Sequence, residues 1–193
     1  MSKLRVSIFS TNPKGVYSGG RYHSLIMAYA LAQAGADVDY VTNTLPMFDA
    51  DFAALGEQFP LRITVDPRFN GPEGHCDWVI LVPTGGLNGP FYAGAVRYAQ
   101  QRGARLMLVS FETANWMNGL VPHPKNEIAW EPWRSALERG GLVMVSARAG
   151  LDFARTFYGA SSNPDLHFAY WNPPINDLAV VPAPERQDRI IAF

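Results

Sequence analysis

The first two dozen residues leave this chain few folds to choose from. A short apolar run, Val6-Ser7-Ile8-Phe9-Ser10, meets a segment broken by Pro13, Gly15, Gly19 and Gly20. A helical pattern follows, in which Tyr22, Leu25, Ile26, Tyr29 and Ala32 share a face. Such an order reads as strand, glycine-rich loop and helix. The helix of such a unit starts at the carboxyl end of the strand, so its unpaired N–H groups and positive dipole end face a crevice where anions bind. The same glycines serve equally well as the elements of a tight strand-to-helix turn.

The rest of the chain repeats this alternation. Gly35 is placed to close the first helix, and Val38 to Thr42 and Leu61 to Val65 read as strands. Phe48, Phe52 and Leu55 suggest a short helix between them. Trp78-Val79-Ile80-Leu81-Val82 is apolar throughout, as expected of a strand covered on both faces. A second glycine-rich turn, Pro83-Thr84-Gly85-Gly86, leads to a helix with Pro90 in its first turn, Tyr92, Val96 and Ala99 on one face and Gly103 as its stop. Leu106 to Phe111 is the fifth strand. A long connection from Glu112 to Glu131 carries Asn115, Trp116, Asn118, His123 and Trp130, and long loops of this kind often carry function. Pro132 opens a helix that Gly140-Gly141 ends, and Leu142 to Val145 is a strand. Ser146 is placed to cap a helix with Leu151, Phe153, Ala154 and Phe157 as its apolar positions and Gly159 as its stop. Leu166 to Tyr170 is the seventh strand. Strands alternating with helices predict an α/β domain, Rossmann-like and doubly wound around a mostly parallel sheet. Ligands then bind outside the carboxyl ends of the strands, near the point where the strand order reverses.

Length and charge narrow the function classes. A chain of 193 residues can bury one good core. With 16 Lys and Arg against 17 Asp and Glu, it has no basic footprint for nucleic acid, and no contact with an anionic membrane surface is evident. Cys76 is the only cysteine, which excludes an internal disulfide and suits a reducing cytoplasm. It reads as a small buried hydrophobe. The first strand begins too early for a signal peptide, and no apolar run is long enough to span a bilayer, so the expected location is cytoplasmic. His75, His123 and His167 lack metal-ligand spacing, and no metal or other cofactor is expected.

Two further stretches carry a resemblance. Ser18-Gly19-Gly20-Arg21-Tyr22-His23 follows the first strand, and its helix ends in Leu31-Ala32-Gln33-Ala34-Gly35-Ala36-Asp37-Val38. Asn172-Pro173-Pro174-Ile175 follows the last strand. Together these resemble the N-terminal domain of family 4 glycosyltransferases of the GT-B fold, with the Asn-Pro-Pro segment at the interdomain crossing. The resemblance implies that residues 1–175 form the acceptor-side domain. Residues 176–193 would form a linker, proline-rich at Pro182-Ala183-Pro184, and Arg189 to Phe193 the first strand of a C-terminal donor-binding domain. It implies transfer of a glycosyl unit from a nucleotide sugar to a glycan, lipid-linked or small-molecule acceptor, with retention of configuration and no essential metal. The family's Glu-x7-Glu donor motif belongs to the second domain and is absent here, so this chain alone is not expected to catalyse transfer.

The same resemblance assigns roles. Gly15, Gly19 and Gly20 would let the backbone approach a phosphate, Arg21 would add charge there, and His23 would hydrogen-bond substrate. Thr84, Gly85 and Gly86 would face the acceptor. Glu112 is the catalytic candidate, a carboxylate placed to orient a hydroxyl or balance an oxocarbenium-like charge. The pattern departs from the family in two places. Only Arg21 and Tyr22 separate Gly20 from His23, where three residues are usual, and Phe111-Glu112 stands where many members carry His-Asp. Two other readings use the same strand and helix. A non-catalytic module could hold a sugar or phosphate. A dinucleotide-dependent oxidoreductase would need Gly-x-Gly-x-x-Gly, which Gly15-Val16-Tyr17-Ser18-Gly19-Gly20 does not supply, although Asp39 is available as a ribose ligand.

Overall fold

The structure is a computed structural model, and it describes residues 3–12, 19–45, 61–67, 71–82, 89–110, 133, 135–159 and 161–172. Within them the strands are β1 (Arg5–Ser10), β2 (Asp37–Thr42), β3 (Leu61–Val65), β4 (Trp78–Val82), β5 (Arg105–Ser110), β6 (Gly141–Val145) and β7 (Leu166–Tyr170). The helices are α1 (Gly19–Gln33), α2 (Gly89–Arg102) and α3 (Ala149–Phe157). No helix among the described residues is long and apolar enough to cross a membrane. The expected helix at Phe48, Phe52 and Leu55, the connection from Glu112 to Glu131, Pro132 itself and the linker and strand within residues 176–193 lie outside the described residues. The helix expected after Pro132 is present as a short turn at Trp133, Ser135 and Ala136, where Leu137 N–H bonds the Trp133 carbonyl at 3.1 Å, and it stops before Gly140.

One sheet of 7 strands runs in the order β3-β2-β1-β4-β5-β6-β7. Every pairing is parallel. The chain builds outward from β1 to β3, returns to the other side of β1 at β4, and continues to β7. Right-handed crossovers on the two sides of β1 then put α1 on one face of the sheet and α2 and α3 on the other. The side-chain alternation of the strands sorts the core accordingly. On one face Val6, Ile8, Val38, Tyr40, Ile80 and Val82 pack with Leu25, Ile26, Ala28 and Tyr29 of α1. On the other, Phe9, Val79, Leu81, Leu108 and Val143 pack with Tyr92, Ala95 and Tyr98 of α2, with Trp133 and Leu137, and with Ala154 and Tyr158 beside β6. Cys76 is buried in this second layer, its thiol 3.1 Å from the Trp78 carbonyl. α1 is buried more widely than a single stripe predicts, since Arg21, Ser24 and Met27 are covered as well.

The helix stops follow the glycines. After α1, Ala36 N–H bonds the Leu31 carbonyl and Gly35 N–H bonds that of Ala32, both at 3.0 Å. After α2, Ala104 and Gly103 bond Ala99 and Gln100 in the same pattern. This double closure needs a left-handed residue, and Gly35 and Gly103 supply it at φ 96 and 63. The N-cap position falls at Arg148 rather than at the expected Ser146. The helix begins later, with Arg148 at its N-cap in a right-handed helical conformation and no side-chain cap bond. Single-turn bonds from Gly150 to Ala147 and from Leu151 to Arg148 begin the helix from backbone groups instead. Gly140 and Gly141 lie at φ 88 and 144, where β6 enters the sheet. A Cβ on Gly141 would stand 2.6 Å from the Leu106 carbonyl oxygen.

Charges are gathered at the amino ends of β1, β2 and β3. Arg62 donates from Nε to Asp39 at 2.7 Å and from Nη1 to Asp37 at 2.8 Å. Arg5 lies 3.8 Å from Asp37 and 3.7 Å from Asp39. The Asp39 side chain is only 4% exposed, so it must be paired to be buried at all. The Arg62 hydrogen bond holds the Asp37 carboxyl below its usual range, against the opposing effect of burial. Asp77 is lowered likewise, first by the Arg5 backbone N–H and then by His75.

Two predictions follow from this packing. Gly141→Ala meets both a left-handed φ and a backbone oxygen, so it should cost about 2–4 kcal/mol, read as a lower urea midpoint. Arg62→Gln should cost about 1–2 kcal/mol at pH 7, less than breaking a fully buried pair because Arg62 is half exposed. An unfolded aspartate titrates near about 3.9, and the folded Asp37 lies lower. The unfolded chain therefore takes up the proton first as pH falls. The stabilisation is complete above about pH 4 and is lost below it, so the gap between urea midpoints at pH 7 and pH 3 should be smaller in Arg62→Gln than in the wild type.

Candidate functional site

The strand order reverses between β1 and β4, and α1 starts on the carboxyl side of that reversal. Gly19 and Gly20 are its first two residues. The first turn contains no acidic side chain, so none neutralises the positive end of this 15-residue helix. The register sets Ser10 beside Val82 at the last rung of the β1–β4 ladder. Those two residues form the floor beneath the start of α1.

Arg21 ties the floor together. It is 3% exposed, and its Nη1 donates to the Ser10 hydroxyl at 2.9 Å and to the Val82 carbonyl. Ser24, one turn on, donates to the Arg21 carbonyl at 2.7 Å and lies 2.9 Å from the Tyr40 hydroxyl and 3.2 Å from that of Ser10. Thus α1, β1, β2 and β4 share one buried polar chain. From the opposite layer, the Tyr92 hydroxyl of α2 donates to the same Val82 carbonyl at 2.5 Å and accepts from Thr11 N–H at 3.0 Å. Burial raises the Tyr92 pKa, outweighing the nearby Arg21 charge and the Thr11 bonds, and keeps the phenol a proton donor.

A second network extends the pairing of β1 and β2 past their ends. Asn12 N–H bonds the Asn43 side-chain oxygen at 2.6 Å, and the Asn43 amide donates back to the Asn12 carbonyl at 3.2 Å. The side-chain amide of Asn43 thereby imitates one more peptide of the ladder. Asn12 Nδ2 reaches the Thr42 hydroxyl at 2.5 Å, and Thr44 donates to the Asn12 carbonyl at 3.2 Å.

Of the predicted site residues, Gly19 and Gly20 stand at the head of α1 and Arg21 lies beneath them, bound to the strand ends. His23 is on the same helix, half-buried, with its ring edge-on to Tyr22 at 5.9 Å. Positions two apart on a helix point to different sides, so Arg21 and His23 do not converge. Gly15, Thr84, Gly85, Gly86 and Glu112 lie outside the described residues. Asp39 sits in the amino-terminal half of β2, engaged by Arg62, and the residues at the carboxyl end of that strand are Thr42, Asn43 and Thr44. No family model matches the chain, and no curated protein matches it. Among the described residues, no group of three or more His, Cys, Asp or Glu side chains is placed to hold a metal ion.

Sequence reasoning missed Ser10, Ser24, Tyr40, Tyr92, Asn12 and Asn43 as parts of this site. The usable signal was a hydroxyl leading straight into a core run, such as Ser24 before Leu25 and Ile26. Tyr92→Phe should cost about 1–2 kcal/mol, because Thr11 N–H loses its acceptor and the Val82 carbonyl one of its two donors. Thermal unfolding of the purified variant measures it.

Proposed function

We propose that this chain is the acceptor-side domain of a glycosyltransferase, resembling family 4 of the GT-B fold, and acts on a nucleotide-sugar donor. The observation that carries the reading is the position of Gly19-Gly20 at the head of α1, directly over the β1–β4 reversal where α/β proteins bind ligands. A helix end without acidic side chains favours a diphosphate or phosphate, and glycine lets it approach the backbone. In this reading Arg21 fixes the helix start against the strand ends, and its charge biases the crevice toward anions. Asp39 favours sugar transfer over dinucleotide chemistry. A ribose-binding carboxylate belongs at the carboxyl end of β2, whereas Asp39 is committed to Arg62 nearer the other end.

Glu112 follows β5 by two positions and supplies the carboxylate of the reaction centre. In the transition state the bond from the anomeric carbon to the diphosphate lengthens and the sugar ring gains positive charge. A carboxylate steadies that charge or orients the acceptor hydroxyl. The donor is held by a second domain that closes over the crevice and excludes water. The full-length protein, offered uridine- and guanosine-diphosphate sugars with a panel of acceptors, should release nucleoside diphosphate in step with glycosylated product. Glu112→Ala should lower kcat by about 100-fold or more with unchanged thermal unfolding. Absence of turnover with every donor would defeat the reading, and unchanged turnover in the variant would remove Glu112 from it.

A further inference from the structure

The opposite edge of the sheet holds a cleft of about 450 Å3, bordered by the amino ends of β4 to β7 and the end of α2. Part of its lining is apolar, from Val96, Ala99 and Leu106. Its charged lining is Arg105, Arg139, His167 and Asp165. Two arginines against one aspartate leave an excess of positive charge before His167 is counted. The Arg139 and His167 side chains make no hydrogen bond or ion pair with another described residue. Arg105 Cζ lies over the Trp78 ring, 5.7 Å from its centroid, a cation–π contact that places the guanidinium at the mouth of the cleft.

The wall of the cleft is fixed before any ligand arrives. Gly141 N–H bonds the Asp165 carbonyl at 3.0 Å. A Cβ on Gly140 would stand 2.6 Å from that same oxygen, so the backbone segments touch with no room for a side chain. A preformed pocket of this size, part apolar and rimmed by a few charged groups, has the make-up of a small-molecule site.

We propose that this cleft binds a compact organic phosphate of mononucleotide size. The phosphate lies between Arg105 and Arg139, and the apolar surface of Val96, Ala99 and Leu106 takes the body of the ligand. Asp165 limits the net positive charge and so selects against polyphosphates. The site is on the other side of the sheet from the crevice at Gly19 and Gly20, and it stands whether or not that crevice serves sugar transfer.

The probe is adenosine 5′-monophosphate, titrated calorimetrically into the full-length protein, with adenosine and inorganic phosphate as comparisons. Saturable binding should appear and weaken about tenfold or more in Arg139→Ala and in Arg105→Ala. Both side chains are exposed, so both variants should fold; thermal unfolding of Arg139→Ala should match the wild type, and that of Arg105→Ala should fall only slightly through loss of the Trp78 contact. Backbone amides of Gly103, Gly140 and Gly141 should shift on titration while those of Gly19 to Arg21 stay in place. The proposal is overturned by absence of saturable binding, by equal affinity for inorganic phosphate, by unchanged affinity in both variants, or by shifts confined to the start of α1.

Discussion

The Val82 carbonyl is the joint on which the carboxyl edge of this sheet depends. A strand's last carbonyl has lost its ladder partner and must find donors elsewhere or remain unsatisfied beside the core. Here it has two, Arg21 of α1 from one layer and Tyr92 of α2 from the other. A single acceptor therefore binds both helical layers to the central strands at the place where the strand order reverses. The guanidinium is almost wholly buried, so its contacts must offset the cost of taking a charge out of water. Ser10, Ser24 and Tyr40 complete that compensation by linking the arginine's surroundings to β1 and β2.

The two edges of the sheet divide the charges between them. At the amino edge, Asp37 and Asp39 are neutralised by Arg62 and Arg5. The first turn of α1, by contrast, carries no acidic side chain. The amino edge thus spends its carboxylates on strand pairing, and around the start of α1 the described strand ends are joined by amides, hydroxyls and the inward-turned Arg21. The amides and hydroxyls hold these strand ends together without adding negative charge.

Architecture was largely legible from the residues. Apolar runs marked the strands to within a residue, because a strand buried on both faces admits little else, as Trp78 to Val82 illustrates. Glycine marked the stops of α1 and α2 because the closing bonds require a left-handed residue. Ser146 misled for a physical reason: a hydroxyl at a strand end suggests a cap, yet the chain takes two further residues in single-turn geometry before the helix proper begins. The polar joint was much less legible. Arg21 reads in sequence as a charge available to ligand, and only the fold places Ser10 and Val82 within its reach. Asp39 is the converse case, since its spacing suggests a ribose ligand and its register with Arg62 sets it aside.

Arg21 comes immediately after Gly19-Gly20, and this adjacency has a mechanical consequence. The head of α1 cannot slide or tilt without extracting a buried guanidinium from between two strand ends, which would strand several polar groups at once. Movement at this edge is therefore denied to the head of the helix. The first turn of α1 behaves as an anvil, a surface that keeps its shape under load.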